Sequence, residues 1–416
     1  WPAVIPDVSD TLTSSAFSGT DTTTGTETTT ETSDNAGEAD STAETTGATT
    51  AVPTTATTTE GIVPTTTATT TTTTETPTTP PTTPSTDPPD TPGLVEGKVN
   101  EAEYLQYFRI RDTRTDELIE PSNRAELQRA VSLIVKKEMG MARMMVSSTE
   151  AQKAQAVAAY TFVLSYVADK GAPYSFSFPD FNPESDSNDK RIYDAVGEVL
   201  GIKLLDLSAS DVADQPCETT YFAYSAPYYT ASNQEVYQSG GLPTPYLQGV
   251  YSAYDSAEMV EKYLAGSMSS TCTITWAELK QKLETQLGSA VDTDAAAGQC
   301  PIRATKIADG GYYVVETNLT YNRSGSKAAV TGNQIRNAIG VNKLKSHAFT
   351  VTYDPSTDRL TFTAQGYGHG VGLSQIGAVG YANEAGWNYI QILSHYYSIT
   401  STTTYQLVAP RWGSIS

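Results

Sequence analysis

The chain has 416 residues, three cysteines and a net charge of −21. This acidic balance argues against nucleic acid as the main partner, because phosphate binding needs clustered Lys and Arg side chains. No apolar run approaches the roughly 20 residues that a membrane-spanning helix needs, so we expect no membrane segment in this chain.

The first quarter of the chain, residues 1–96, contains fourteen acidic and no basic residues and is rich in Thr and Pro. Such a segment cannot bury enough apolar surface to offset its ordering entropy. We therefore predict a disordered, acidic Thr/Pro-rich stalk over residues 1–96, with Thr/Pro runs suited to O-glycosylation.

The chain begins at Trp1 and not at Met, which suggests that a leader was removed and the protein exported. Cys217, Cys272 and Cys300 lack CxxC spacing, which disfavours a zinc knuckle or a redox motif. In an exported protein Cys272 and Cys300 could pair and leave Cys217 free, although the sequence alone does not decide this.

The first clear helix begins after Asn123, where Glu126 completes a capping-box pattern, and ends at Gly140. On a helical wheel Glu138 falls about 20° from Leu127, in the middle of the apolar stripe. Burial and the negative end of the helix dipole would both raise the pKa of this carboxyl, as a general acid near neutral pH requires. A surface glutamate on a frayed last turn is the alternative, and this helix alone does not separate the two.

A second helix is predicted from the capping-box pair Ser147 and Glu150, ending at Gly171. A third is expected around residues 191–200. The second helix has a face of small residues that should pack closely against the first helix or a sheet: Ala151, Ala154, Val157, Ala158, Thr161 and Leu164. Residues 221–254 are rich in Tyr, which suits carbohydrate because sugar faces stack on aromatic rings, but exposed tyrosines are also ordinary surface residues.

Short strand patterns dominate the later part of the chain. Strands are predicted at residues 302–306, 311–317, 348–353 and 359–364, with a hairpin turn at 354–358 and a further, earlier strand around 104–110. Helices are predicted at residues 276–287 and 331–339. Helices first and antiparallel strands later, without a βαβ alternation, predict an α+β fold, which we assign to a single large domain over residues 97–411.

The most distinctive stretch, residues 366–378, reads GYGHGVGLSQIGA. Glycine at every second position is a poor strand interior and indicates that backbone must approach something closely. Ser374 can cap the helix that follows. A tight strand-to-helix turn with an incidental histidine is the alternative, while a phosphate-binding loop is disfavoured because neither GxGxxG nor Gly-Lys-Ser/Thr spacing is present.

Three separated stretches share one pattern. Glu138-Met139 ends a helix shortly before EAQKAQAVAA (150–159), then come Thr331-Gly332, Arg336 and KSHAF (345–349), and GYGHGVGLSQIGA leads to ILSHYY (392–397). In this order they closely resemble the stage II sporulation protein D family, which includes the related amidase-enhancer proteins. The resemblance spans roughly residues 97–400 and leaves the predicted stalk outside.

The resemblance implies an activity, because members of that family include lytic transglycosylases. These enzymes cut the MurNAc–GlcNAc linkage of peptidoglycan without water and leave a 1,6-anhydro end. The catalytic acid in them is the glutamate before the methionine, which corresponds to Glu138 here. The resemblance also implies substrate-binding residues, some of them donors to sugar hydroxyls or to charge developing in the transition state: Lys153, Gln155, Ser232, His369, Ser374 and Gln375.

Two positions depart from the family pattern. Tyr160 stands where an arginine is usual, and YTASNQ (229–234) replaces the common His-Ser-(Thr/Ser)-Ser-Gly-Gly. Some members bind zinc through a histidine and cysteines near that loop. Because these ligands are absent from this sequence, we predict no structural zinc and no cofactor, and the differences put the substrate preference in question.

Two functions remain in competition. The leading hypothesis is a lytic transglycosylase of the cell envelope or extracellular space that acts on peptidoglycan glycan strands, with other cell-wall hydrolases as candidate partners. The alternative is a non-catalytic peptidoglycan-binding protein that enhances a cell-wall amidase. Catalysis requires the carboxyl of Glu138 to open into a cleft whose opposite wall includes His369 and Ser374–Gln375, with tyrosines from residues 221–254 as stacking platforms.

Overall fold

The computed structural model describes residues 87–89, 91–97, 105, 107–140, 148–208, 215–237 and 244–410. Most of the predicted stalk and the predicted cap Ser147 therefore lie outside the described residues. At the end of the stalk, Val95–Glu96 forms strand β1, which pairs in parallel with the last strand of the domain, at Tyr405–Ala409. Strand pairing with the domain therefore begins at Val95, just before the predicted domain boundary between residues 96 and 97.

The helices of the described residues are numbered in chain order: α1 (Arg124–Met139), α2 (Thr149–Lys170), α3 (Ser187–Glu198), α4 (Asn233–Tyr237), α5 (Ala257–Leu264), α6 (Trp276–Leu287), α7 (Gly332–Ile339), α8 (Gln375–Glu384) and α9 (Tyr389–Tyr396). The strands that follow β1 are short: β2 (Ile110–Asp112), β3 (Leu118–Ile119), β4 (Tyr174–Phe176), β5 (Lys203–Asp206), β6 (Gln215–Pro216), β7 (Tyr221–Phe222), β8 (Ser269–Thr275), β9 (Val291–Asp292), β10 (Ala304–Ile307), β11 (Val314–Thr317), β12 (Thr320–Arg323), β13 (Ser326–Ala329), β14 (Phe349–Asp354), β15 (Arg359–Gln365), β16 (Leu373–Ser374) and β17 (Tyr405–Ala409).

Small, separate sheets connect these strands. Their orders are β1-β17-β5-β6, β3-β2-β4, β16-β7, β14-β15-β8, β13-β12-β9 and β10-β11. Most pairs are antiparallel, while β7 with β16, β1 with β17 and β2 with β4 are parallel. The predicted α+β class is confirmed. Residues 104 and 106 of the strand expected at 104–110 lie outside the described residues, and the strand described next to them is Ile110–Asp112.

Helix α1 begins where the sequence predicts. The side chain of Asn123 accepts a hydrogen bond from the backbone N–H of Glu126, which satisfies one of the free amide groups of the first turn. The carboxylate of Glu126 bonds to the backbone N–H of Ser122, at 2.8 Å, and not to that of the cap residue itself. The predicted apolar stripe is buried, and Glu138 is buried within it.

Helix α2 is enclosed on almost every side. Its small residues are buried, and helices α1, α3, α8 and α9 all pack against it. Residues without bulky side chains allow helix axes to approach closely, so the predicted small-residue face places α2 at the centre of the helical part. Gly171, with φ of 64°, ends the helix.

Two hydrophobic clusters divide the domain. The larger surrounds α1, α2, α8 and α9. The smaller joins the sheet of β8, β14 and β15 to helices α6 and α7. The helix predicted at residues 276–287 and the β14–β15 hairpin are confirmed within it. Cys217, Cys272 and Cys300 are all free thiols, so the suggested Cys272–Cys300 pair is not formed.

Candidate catalytic site

The glycine-rich loop winds tightly against an earlier segment of the same chain. Its glycines at 366, 368, 370 and 372 have φ between 79° and 123°. A Cβ on Gly368 would lie 2.5 Å from the Cβ of Phe222, and one on Gly372 would collide with the carbonyl oxygen of Thr220. Only glycine tolerates both this backbone angle and this spacing. The close approach predicted from the sequence is therefore between two segments of the chain, and it leads into the parallel pairing of β7 with β16.

His369 is wholly buried in this contact. Its Nδ1 accepts a hydrogen bond from the backbone N–H of Val371 at 3.1 Å, and its Nε2 lies 3.1 Å from the carbonyl oxygen of Tyr221. An accepting Nδ1 and a donating Nε2 correspond to the neutral imidazole with its proton on Nε2. Both ring nitrogens are engaged by the backbone, so His369 holds the loop on β7 and has no nitrogen left for the expected sugar contact.

Ser374 is also engaged within the protein. Its hydroxyl accepts from the backbone N–H of Gly377, which caps α8, and donates to the Oδ1 of Asp255 at 2.7 Å. The other carboxylate oxygen of Asp255 accepts from the hydroxyl of Ser225 at 2.8 Å. Burial raises the pKa of Asp255, while hydrogen bonds from Ser252, Ser374 and Ser225 act in the opposite direction. This buried carboxyl fixes the start of α8.

The first residue of α8 meets the end of α1. The Nε2 of Gln375 lies 3.3 Å from the Oε2 of Glu138 and 3.4 Å from the Oε1 of Gln155. Glu138 exposes 5% of its surface, Gln375 1% and Gln155 none. The fold therefore brings together three of the predicted site residues from α1, α2 and the glycine-rich motif, across a separation of up to 237 positions.

Lys153 and Ser232 have partners of their own. The ammonium group of Lys153 forms ion pairs with Glu150 at 2.7 Å and with Glu198 at 2.6 Å. Burial acts to lower the pKa of Lys153, but the hydrogen bonds to these two carboxylates outweigh it and raise the pKa. The hydroxyl of Ser232 donates to Glu235 at 2.8 Å, at the start of α4. Both side chains therefore bind neighbouring carboxylates, and neither of these contacts involves Glu138.

The family of the chain follows from comparison with individual known proteins. No family model matches it. It is 31% identical over 267 residues to stage II sporulation protein D of Bacillus amyloliquefaciens, which covers 60% of this chain and 67% of that protein. This chain belongs to the stage II sporulation protein D family. The Bacillus subtilis (strain 168) member is 29% identical over 272 residues, covering 60% of this chain and 68% of that protein.

A second name appears among the relatives of this family member. An amidase enhancer of Bacillus subtilis (strain 168) is 40% identical over 95 residues, which is 23% of this chain and 13% of that protein. The higher identity over a shorter stretch shows that one part of the chain is similar to a protein with a different name.

The tyrosines of residues 221–254 differ in their burial in this family member. Tyr221 is buried, and its hydroxyl has no hydrogen-bond partner among the described residues. Burial raises the pKa of this phenol, and the nearby charge of Glu138 raises it further. Tyr228 is instead 42% exposed and has φ of 66°. Its ring lies parallel to that of Tyr251, at 6.1 Å between centroids.

Sequence reasoning missed two contributors to the site. Asp255 lies in a Tyr-rich loop with no motif around it, and no local pattern distinguishes the buried Tyr221 from the exposed tyrosines that follow it. Their roles follow from the packing of residues 220–226 against the glycine-rich loop, which the sequence does not show. In the part of the chain that the structure describes, no three His, Cys, Asp or Glu side chains lie close enough to hold a metal ion. No helix there is long and apolar enough to cross a membrane.

Proposed function

We propose that this protein is a peptidoglycan lytic transglycosylase that cleaves the MurNAc–GlcNAc linkage and leaves 1,6-anhydro-MurNAc ends. The observation that carries the proposal is the contact between Glu138 and Gln375. It joins an inward-facing carboxyl group to the glycine-rich motif that carries the resemblance to the stage II sporulation protein D family.

The reaction needs one carboxyl group in two protonation states. Protonated Glu138 gives its proton to the glycosidic oxygen as the bond from that oxygen to C1 of MurNAc breaks. The resulting carboxylate then takes the proton of the C6 hydroxyl of the same sugar while O6 bonds to C1. The proton returns to Glu138 and no water is consumed. A hydrolase would require a second carboxylate as nucleophile or as base for water.

The environment of Glu138 suits such a cycle. The side chain is contacted by the neutral amide of Gln375 and lies in the electrostatic range of the neutral phenol of Tyr221. Removing a carboxyl from water favours its protonated form, which is the form that starts the reaction. Because Glu138 exposes only 5% of its surface, we expect the surrounding side chains to move apart when a glycan binds.

We further propose that exposed tyrosines bind the glycan strand. The exposed ring of Tyr228 stacks on the half-buried ring of Tyr251 at an interplanar angle of 20°, and a ring face matches the apolar face of a sugar. The φ of 66° at Tyr228 is unusual for an aromatic residue and costs on the order of 1–3 kcal/mol, and such strained residues cluster at active and ligand-binding sites. His369, Ser374 and Gln375 then act as residues that shape the site and not as sugar ligands.

The names of the relatives suggest a setting for this activity. We propose action in the cell envelope or outside the cell, in sporulation, with peptidoglycan glycan strands as substrate and other cell-wall hydrolases as partners. The curated relatives named for sporulation and for amidase enhancement support this setting.

Digestion of purified glycan strands with the full chain tests the proposal. Mass analysis should detect fragments that end in 1,6-anhydro-MurNAc. Fragments with hydrolysed reducing ends would indicate a hydrolase, and intact strands would remove the enzymatic proposal.

A second function is supported by the match to the amidase enhancer. A non-catalytic protein of that kind would bind peptidoglycan and raise the rate of a separate cell-wall amidase. It would do so equally well with Glu138→Gln, because binding needs no proton transfer. The same variant therefore separates the two functions.

A further inference from the structure

Glu138, Gln375 and Gln155 form a row of three buried side chains with Gln375 in the middle. The Nε2 of Gln375 is the shared atom, 3.3 Å from the carboxyl oxygen of Glu138 and 3.4 Å from the amide oxygen of Gln155. Among the described residues, the remaining polar atoms of the two amides, Gln375 Oε1 and Gln155 Nε2, have no hydrogen-bond partner. The packing therefore leaves each amide a second orientation that sacrifices no other bond.

The two ends of a glutamine amide have nearly the same shape but opposite hydrogen-bonding character. With its nitrogen at the shared position, Gln375 donates to the carboxylate of Glu138 and to the oxygen of Gln155. If Glu138 is protonated, its O–H can donate to Gln375 once the oxygen occupies the shared position. That oxygen would then face the oxygen of Gln155, and two acceptors do not bond. Gln155 must turn as well and present its nitrogen.

Both arrangements leave the same number of amide atoms without partners. The amides alone therefore favour neither, and the proton on Glu138 decides between them. We propose that Gln155 and Gln375 turn together each time Glu138 gains or loses its proton. They are positioning residues, and this inference rests on the proposed function only in giving that proton a catalytic use.

A coupled pair of amides holds the carboxyl in place in both protonation states. A fixed donor such as a backbone N–H favours the carboxylate, and a fixed acceptor favours the acid. An acid that must become a base within one reaction benefits from a partner that serves both forms. Among the described residues, the side chain of Gln155 bonds to Gln375 and not to Glu138. Gln155 therefore acts on Glu138 through Gln375.

Other titratable groups near these three side chains are the same in the wild type and in the variants proposed below. From β7 the phenol of Tyr221 faces Glu138. On the packed helices, Lys136 pairs with Asp189, Lys153 with Glu150 and Glu198, and Lys262 with Glu384. Lys137 donates to the hydroxyl of Ser177, and the carboxyl of Asp255 accepts from Ser374 and Ser225. None of these groups is altered in the variants below, so a difference between variants reports on the amides.

The decisive experiment is an NMR titration of the full chain without glycan, with ¹⁵N in the Gln side chains and ¹³C in the Glu carboxyls. We expect the amide signals of Gln155 and Gln375 to shift with the same midpoint as the carboxyl of Glu138. Glu138→Gln identifies that carboxyl and should remove both amide responses. In Gln375→Met the carboxyl should still titrate while the Gln155 amide no longer follows it. A Gln155 amide that is silent in the wild type, or still follows in Gln375→Met, overturns the inference.

Kinetics provide a second measurement. Gln155→Met should lower kcat for strand cleavage about 5- to 10-fold, the worth of one hydrogen bond, and leave KM unchanged. Gln128→Met is the matched control on α1, because its amide donates to the carbonyl of Tyr193 at 2.7 Å and lies far from Glu138 along the helix. Equal kcat in the wild type and Gln155→Met would refute the positioning role.

The two proposals fail separately. Coupled amides in a chain that cleaves no strands would refute the proposed function alone. Strand cleavage by a chain whose amides titrate independently would refute the coupled pair alone.

Discussion

The side chain of glutamine has nearly the shape of protonated glutamic acid but cannot deliver a proton. Glu138→Gln should therefore keep the fold, with an amide in place of the carboxyl beside Gln375. Loss of general acid catalysis should lower the release of anhydro-ended fragments by at least about 100-fold. Mass analysis of digested strands measures the activity, and the melting temperature confirms the fold. Wild-type cleavage by this variant would contradict the role of Glu138.

At the scale of single residues, the sequence predicts what regular geometry dictates. The inward direction of Glu138 follows from the fixed angle between successive helical residues, and its burial agrees. The engagement of His369 by Tyr221 and Val371 was not predictable, because no local pattern shows which backbone a buried ring will meet. The same holds for Asp255, whose partners lie 30 and 119 positions away along the chain.

At the scale of an element, the glycine-rich loop can be tested against a glycine of the same conformation. Gly372→Ala places a Cβ onto the carbonyl oxygen of Thr220 at φ of 80°. The left-handed angle costs about 1–2 kcal/mol and the overlap about 1–3 kcal/mol more. We therefore expect a loss of several kcal/mol in the free energy of unfolding, measured by denaturant titration.

The matched control is Gly288→Ala at the end of α6. Gly288 has φ of 61°, and a Cβ there meets nothing within 4 Å, so this variant should show only the cost of the backbone angle. Equal losses in the two variants would mean that the contact of the loop with residues 220–226 adds no constraint.

The helices and the longer strands β14 and β15 were easier to predict than the two-residue strands. Caps and apolar spacing are local signals, so α1, α6 and α7 begin and end within a residue or two of their predicted positions. By contrast β7 and β16 have two residues each. Such strands have no periodicity of their own and exist because the glycines admit a close parallel neighbour.

For the molecule as a whole, stability should depend on pH through a partly buried histidine. His395 lies on α9 with its Nε2 2.8 Å from the carbonyl oxygen of Tyr251. Burial lowers its pKa to about 4 from the ordinary value of 6.5, against the effect of that carbonyl. Between these values the unfolded chain binds a proton that the folded chain does not. The free energy of unfolding should therefore fall as the pH drops from 6.5 to 4, by up to about 3 kcal/mol.

His395→Gln removes this titration and leaves the carboxylates that protonate in the same range unchanged. The difference in stability between the wild type and this variant should shrink as the pH falls from 7 to 4. A difference that is constant with pH would show that His395 keeps an ordinary pKa in the folded protein.

Removal of the acidic N-terminal segment tests the domain boundary. Deletion of residues 1–92 retains β1, whose pairing with β17 begins at Val95. The deleted part is Thr- and Pro-rich and has little apolar surface to bury, so we expect a melting temperature within about one degree of the full chain. A drop of several degrees, measured by calorimetry, would show that the segment contributes to the folded domain.

The long separation between Glu138 and Gln375 also constrains how the protein matures. A contact that closes a loop of more than two hundred residues forms late in folding. The chain loses conformational entropy on closing the loop before the contact can stabilise it. During synthesis α1 is complete long before the ribosome reaches the glycine-rich motif. The carboxyl group therefore remains without the amide of Gln375 until almost the whole domain has been made. A nascent or truncated chain has the acid but not the surroundings that would prepare it for chemistry.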